Sequence, residues 1–319
     1  MRFSSLPLTA AVTVWCIAHA AAQPAAVKTP SLGFAWDERS KDLRPVQGIP
    51  GAALLGDAAG FTGFSSIAVS PQHDLALAIS DGRLQLLRFS TGEVQDVPGS
   101  SSPSRLIFSP SGNAALAIGN GLQIITGLSG VPAVQDLILP SDAPAPSATA
   151  VSDDGHLVLF TTADSIWRLA PGTNPIALPI PGLVSAVAFR PGSREAIVVT
   201  QTGTLYRIAD PTFSNHIEAI AGTDERLAAA VALRISPDGT RIYTANRTGT
   251  LAVLDVASSS ITAVDCGCTP AGIEPLSTPG IYRITEISQR PLMLLDVSHT
   301  TPRVWFVPAL AMDAQRSAQ

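Results

Sequence analysis

Cys266-Gly267-Cys268 is the tightest spacing of reactive side chains in the chain. Two thiols one residue apart can close on each other, remain free, or act together in metal or redox chemistry. The third cysteine, Cys16, lies in the apolar amino-terminal run, so in an exported protein the pair has only itself to oxidise with. In a fully extended chain their Cα atoms stand near the upper limit for a disulfide, and a bend at Gly267 brings them within it. A local disulfide is the expectation; two free thiols and a metal or redox role are the alternatives. So small a loop restrains little of the unfolded chain, which puts the bond's contribution at the low end of the usual range.

Other reactive residues are scattered. His73, His156, His216 and His299 fall at turns and strand ends, without the close pairs that a zinc or copper site needs. Asp153-Asp154-Gly155 offers carboxylates for calcium, but the aligned positions elsewhere read Pro-Ser-Gly and Pro-Asp-Gly, so these are turn residues first. No Gly-x-Ser-x-Gly elbow occurs, and Gly119-Asn120-Gly121 belongs to a hairpin turn, not a phosphate loop. Asn246-Arg247-Thr248 matches a glycosylation acceptor and reads as a turn. No catalytic constellation, metal or cofactor is expected.

The elements that would position any site are repeats. In ISPDGTRIYTANRTGTLAVLDV, Ile235 to Val256, an apolar segment ends in the turn Ser236-Pro237-Asp238-Gly239. An alternating β-rich strand follows, then the Thr248-Gly249 turn, then a second alternating strand. The turn recurs at Ser70-Pro71, Ser109-Pro110-Ser111-Gly112, Ser152-Asp153-Asp154-Gly155, Arg190-Pro191-Gly192 and Ser277-Thr278-Pro279-Gly280, in steps of 39, 43, 38, 46 and 41. Periods near 40 made wholly of strands predict an all-β propeller of four-stranded antiparallel blades. In the first complete unit the strands are expected at Ile67 to Val69, Asp74 to Ile79, Leu84 to Phe89 and Val94 to Val97.

Six complete units result, and Leu32 to Asp37 with Leu43 to Val46 adds a hairpin read as a copy of the third and fourth strands. Since every blade must cover its neighbour's flank, seven blades closed by this hairpin is the favoured ring. Six blades with the hairpin as an annex is the alternative. Gly48 to Gly63 reads as a linker.

The SPDG turn, the TG turn and a strand ending in Leu-Asp resemble bacterial propeller repeats of the YVTN and WD40-like (PD40) kind, across the whole mature chain. The resemblance implies the fold. It leaves the function open, because similar propellers serve as binding platforms, assembly factors, lactonases and dehydrogenase scaffolds.

Stacking the inner strands exposes one further pattern. Five positions before each anchoring residue stand Ser65, Ser104, Ser147 and Ser185, then Val231 and Gly272. These positions are expected to ring one mouth of the central channel, beside Arg105, Arg234 and Glu274. Either the serines bond local backbone where the strands start, or they line a polar funnel for a small anionic or polar group, with Arg105 foremost. A salt bridge from Arg105 to Glu274 would be the structural alternative for that arginine.

Met1-Arg2, the apolar run from Leu6 to Ile17 and Ala18-His19-Ala20 read as a signal peptide over residues 1–22, ahead of a propeller over 23–311 and a disordered tail over 312–319. The apolar run is short for a membrane span, and Val14-Trp15 before Cys16 do not suit a lipid-anchor site. Net charge −5 and a charged fraction of 14% offer no basic stripe, which argues against nucleic acid as a partner. The expectation is a periplasmic or secreted, non-enzymatic propeller that binds an unknown protein or small molecule. A lactonase-like propeller hydrolase and a subunit of a cell-envelope assembly are the alternatives.

Overall fold

In the computed structural model, which describes residues 30–140, 146–213, 216–287 and 291–308, the repeated turn is held by its own side chains. Ser236 Oγ donates to Asp238 Oδ1 at 2.6 Å and accepts the Arg241 amide at 2.9 Å. The same carboxylate oxygen accepts the Thr240 amide and hydroxyl at 3.0 and 2.9 Å. These donors, Ser236 first, hold the Asp238 carboxyl at about 2. Ser70 and Ser152 likewise bond Asp74 and Asp154, and Ser109 accepts the Ala114 amide, so each anchoring serine is buried at its turn. Local polar chemistry thus reverses the chain in these four repeats and sets strand register.

The strands form seven sheets, six of four strands and one of three. They make blades 1 to 7 at residues 31–55, 66–96, 105–136, 148–178, 184–221, 230–265 and 274–307. Inner strands are Ser31–Asp37, Ser66–Val69, Arg105–Phe108, Ala148–Val151, Val184–Phe189, Ala230–Ile235 and Glu274–Pro275. Seven apolar clusters lie between them, one for each pair of neighbouring blades. A fully buried leucine, such as Leu43 or Leu294, contributes roughly 1.5–3 kcal/mol over an exposed one. Because each cluster is shared, no blade buries its faces alone.

The seven-bladed ring displaces the six-bladed alternative. The amino-terminal hairpin is blade 1: Leu32, Ala35 and Val46 pack on Leu292 and Leu294 of blade 7, while Trp36 and Leu43 pack on Ile67 and Ala76 of blade 2. Two expectations about it need correction. The stretch from Gly48 to Gly63 is not only a linker, since Leu54–Leu55 in it pairs with Val46 and Gln47 as a third strand. The hairpin also does not copy the third and fourth strands. Ser31–Asp37 lines the central cavity and runs against the other inner strands. It starts beside the blade 7 turn, where the Ser277 amide donates to Leu32 O at 2.8 Å. It ends where Asp37 makes a parallel bridge to Ile287, past the second strand of that blade. Alternation of side chains has the same period in both chain directions, so both faces still meet their neighbours.

The signal peptide read at 1–22 and the tail read at 312–319 lie outside the described residues, as do 23–29 and 309–311 of the expected propeller. Among the described residues no helix is long and apolar enough to cross a membrane.

Candidate functional site

The inner strands enclose a central cavity of about 420 Å³, within the range of small-molecule sites. Alanines of several inner strands stand in its wall, among them Ala68, Ala148, Ala150, Ala186, Ala188 and Ala232. The cavity has two ends. Inner strands of blades 2 to 7 begin at one, the start mouth, and run into their turns at the other, the turn mouth.

The four serines stand at the start mouth and use their hydroxyls locally. Ser65, Ser104, Ser147 and Ser185 donate to the carbonyls of Ile79, Ile118, Thr161 and Val199 at 3.1, 3.2, 3.3 and 3.1 Å. Each joins the first strand of its blade to the second. Of the four, only Ser147 lines the cavity, and it also meets Thr161 Oγ1 at 2.6 Å.

Arg105 begins the inner strand of blade 3, is exposed, and lines the cavity. No hydrogen bond or ion pair engages it among the described residues. Arg234 and Glu274, by contrast, meet each other. Arg234 Nη2 lies 3.3 Å from Glu274 Oε2, and Arg234 Nε donates to Ile273 O at 3.0 Å, which links blades 6 and 7. Glu274 is therefore Arg234's partner and not Arg105's.

Strand register explains the pairing. The amide of Leu276 bonds Ile281 O as that of Ser236 bonds Arg241 O, so the anchor of blade 7 is Leu276, one residue before the serine of its turn signature. Arg234 and Glu274 then occupy equivalent positions two residues before their anchors. Arg105 stands four before Ser109, roughly 7 Å nearer the start mouth at 3.3 Å per residue.

Four cavity residues escaped the repeat pattern. Arg283 pairs with Glu286 and also donates to Thr285 O at 3.2 Å. Glu38, just after the strand Ser31–Asp37, is exposed at the cavity and has no partner among the described residues. Next to it burial raises the Asp37 carboxyl, but the Ser40 hydroxyl, the Arg39 amide and the Arg44 guanidinium more than offset this and hold it below the ordinary range. His73 sits at the turn mouth: its Nδ1 accepts the Phe34 amide at 3.2 Å and its Nε2 donates to Pro275 O at 2.9 Å. Chiefly through burial, with Arg283 adding to it, the imidazole is held below its usual pKa, which suits a neutral ring. His73 was visible in the sequence as the residue replacing glycine in the Ser70-Pro71-Gln72-His73 turn. Glu38, Arg283 and Glu286 carried no comparable signal.

The turn mouth is knitted between blades. Asp153 accepts from the Ser111 amide and hydroxyl at 2.7 and 2.8 Å and from the Gly192 amide at 2.7 Å, joining blades 3, 4 and 5. Arg194 reaches Asp154 at 2.8 Å, and Arg190 donates to Asp238 O at 2.9 Å. Asp153 and Asp154 are thereby occupied as acceptors. Among the described residues no three His, Cys, Asp or Glu side chains converge as metal ligands.

Cys266 and Cys268 are joined by a disulfide, with Cα atoms 5.1 Å apart and Gly267 at φ +58°. A positive φ there costs glycine nothing and supplies the bend. The bridge lies just after the last strand of blade 6, where the chain crosses to blade 7.

No protein-family profile matches the chain, and no curated protein does. Solved structures do. A functionally unknown protein from Desulfotomaculum acetoxidans is 16% identical with a TM-score of 0.57, over 87% of this chain and 99% of that one. PorZ, described as an essential bacterial surface component of the type-IX secretion system of Porphyromonas gingivalis, is 17% identical with a TM-score of 0.55. That match covers 89% of this chain but only 38% of the PorZ chain. At such identity the likeness shows a shared propeller fold and nothing about the site.

Proposed function

We propose that the protein is an exported, non-enzymatic β-propeller that works as a binding module, with its site at the start mouth around Arg105. The observation that carries this reading is the contrast among the cavity arginines. Arg234 and Arg283 each have a glutamate, whereas Arg105 is exposed with none. A guanidinium stays charged at any working pH and presents five donors, so one without a partner at a concave mouth suits an incoming acceptor. Export rests on the amino-terminal residues 1–22, and a periplasmic or secreted site of action follows from it. Kinship with YVTN or WD40-like repeats rests on the turn and strand motifs.

A hydrolase of the lactonase-like kind has less support. It would need several free carboxylates and imidazoles converging at the channel, but Glu274 and Glu286 are each paired with arginine and both nitrogens of His73 are engaged, which leaves Glu38 as the free carboxylate among the described cavity glutamates. The envelope-assembly reading is favoured by one observation, the likeness to a surface component of a secretion system.

Native mass spectrometry of the exported protein tests the binding reading. A bound small molecule or partner should be retained by the wild type and lost or weakened about tenfold or more in Arg105→Ala, a change of about 1.4 kcal/mol. Equal retention by a folded Arg105→Ala protein would remove Arg105 from the site.

A further inference from the structure

We infer that the start mouth recognises a zwitterion, with a free carboxylate at Arg105 and a free ammonium at Glu38, as in a short unblocked peptide. The inference rests on the binding reading above and deepens it. Glu38 and Arg105 both line the cavity, both are exposed, and neither has a partner among the described residues. The other charges on that wall are spoken for: Arg234 meets Glu274, and Arg283 meets Glu286.

The two free charges lie at the same mouth because the innermost strand of blade 1 runs opposite to the other innermost strands. Glu38 follows the end of Ser31–Asp37, and that end lies beside Ile287, whereas Arg105 begins its strand. Had that strand followed the polarity of the others, Glu38 would stand at the turn mouth. Blade 2 separates the two residues, and they do not form an ion pair with each other. The rim is thus acidic at blades 1 and 7, with Glu38 and the Arg283-paired Glu286, and basic two blades further on, with Arg105.

Such a dipolar rim favours a ligand with opposite charges at its two ends over an anion or a cation alone. An anion drawn to Arg105 meets the field of Glu38, and a cation drawn to Glu38 meets that of Arg105. The inner strands of blades 2 and 3 pair on one side only, so their free edges leave N–H and C=O groups for the peptide units between the charged ends.

Isothermal titration with triglycine, N-acetyl-triglycine and triglycinamide reads the two ends separately. Blocking either end should weaken binding to the wild type about tenfold or more, as expected for losing one charge-assisted contact. In Arg105→Ala, triglycine and triglycinamide should bind alike. In Glu38→Gln, triglycine and N-acetyl-triglycine should bind alike. Both side chains are exposed and unpaired, so both variants should keep the wild-type unfolding midpoint. If N-acetyl-triglycine binds as well as triglycine while triglycinamide does not, the ligand is a simple anion and the zwitterion is overturned, with the Arg105 site standing. If triglycinamide matches triglycine on the wild type, both the zwitterion and the Arg105 site fall. No binding of any of the three peptides overturns the zwitterion alone, since retention of the native ligand is measured independently.

Discussion

His73 Nε2 lies 2.9 Å from the carbonyl oxygen of Pro275, a contact that joins blade 2 to blade 7 across the whole of the chain between them. The other ring nitrogen accepts the Phe34 amide of blade 1. One imidazole of blade 2 thus bonds both the first and the last blade of the ring, beside the seam where Ser277 and Leu32 also join them.

That arrangement predicts a pH dependence. Protonation of Nδ1 would destroy its role as acceptor, and burial with Arg283 nearby already depresses the folded-state pKa; the Pro275 carbonyl, Asp74 and Glu274 pull the other way and do not prevail. With the folded value below the unfolded one of about 6.5, the unfolded chain takes up the proton first. The contribution is therefore present above about pH 6.5 and is lost as pH falls through the folded value. The thermal midpoint should drop from pH 7 to pH 5 by more in the wild type than in His73→Gln. Equal drops would show that His73 does not govern closure.

Gly33 is the second half of the same lock. Its φ is +120°, and a Cβ there would stand 2.5 Å from the His73 ring. Gly33→Ala should cost on the order of 2–3 kcal/mol in denaturant unfolding, combining backbone strain with displacement of the imidazole. The cost should be smaller in a His73→Ala background, because the two residues touch. A loss under about 0.5 kcal/mol would contradict the geometry.

Removing blade 1 tests ring closure. Deleting Leu32 to Val46 would uncover the flanks of blades 7 and 2, including Leu292, Leu294 and Ile67, and should lower the unfolding midpoint of the whole ring. An unchanged midpoint would make the hairpin an ornament.

How much of this was legible follows from the range of each signal. The turns from Ser109 to Gly112 and Ser236 to Gly239 are local, so they announced blades and strand positions without any partner. The direction of Ser31–Asp37 was not legible, since alternation looks the same from either end. Blade 7 was misaligned by one residue because Ser277 imitates an anchor while the backbone uses Leu276, and with that slip the Arg234–Glu274 pair was hidden. The serine positions were readable as a ring, but whether a hydroxyl faces a ligand or the Ile79 carbonyl depends on a strand the pattern does not orient. The partners of His73, Phe34 in the blade before it and Pro275 in the last blade, leave no mark within its own repeat.

The Cys266–Cys268 bond predicts a redox-silent pair. Neither thiol should react with maleimide in the protein isolated without reductant, both should react after reduction, and the unfolding midpoint should change little because the loop is minimal. Prompt labelling without reductant would contradict it.

The central claim, that the start mouth binds through Arg105, is tested most directly by phenylglyoxal labelling of arginines in the freshly isolated protein and again after bound material has been stripped. Arg105 should be protected before stripping and should become more reactive than Arg234 and Arg283 afterwards, since those two keep their glutamates. If Arg105 reacts at the same rate before and after, or no faster than Arg234 once stripped, the mouth is not the binding site.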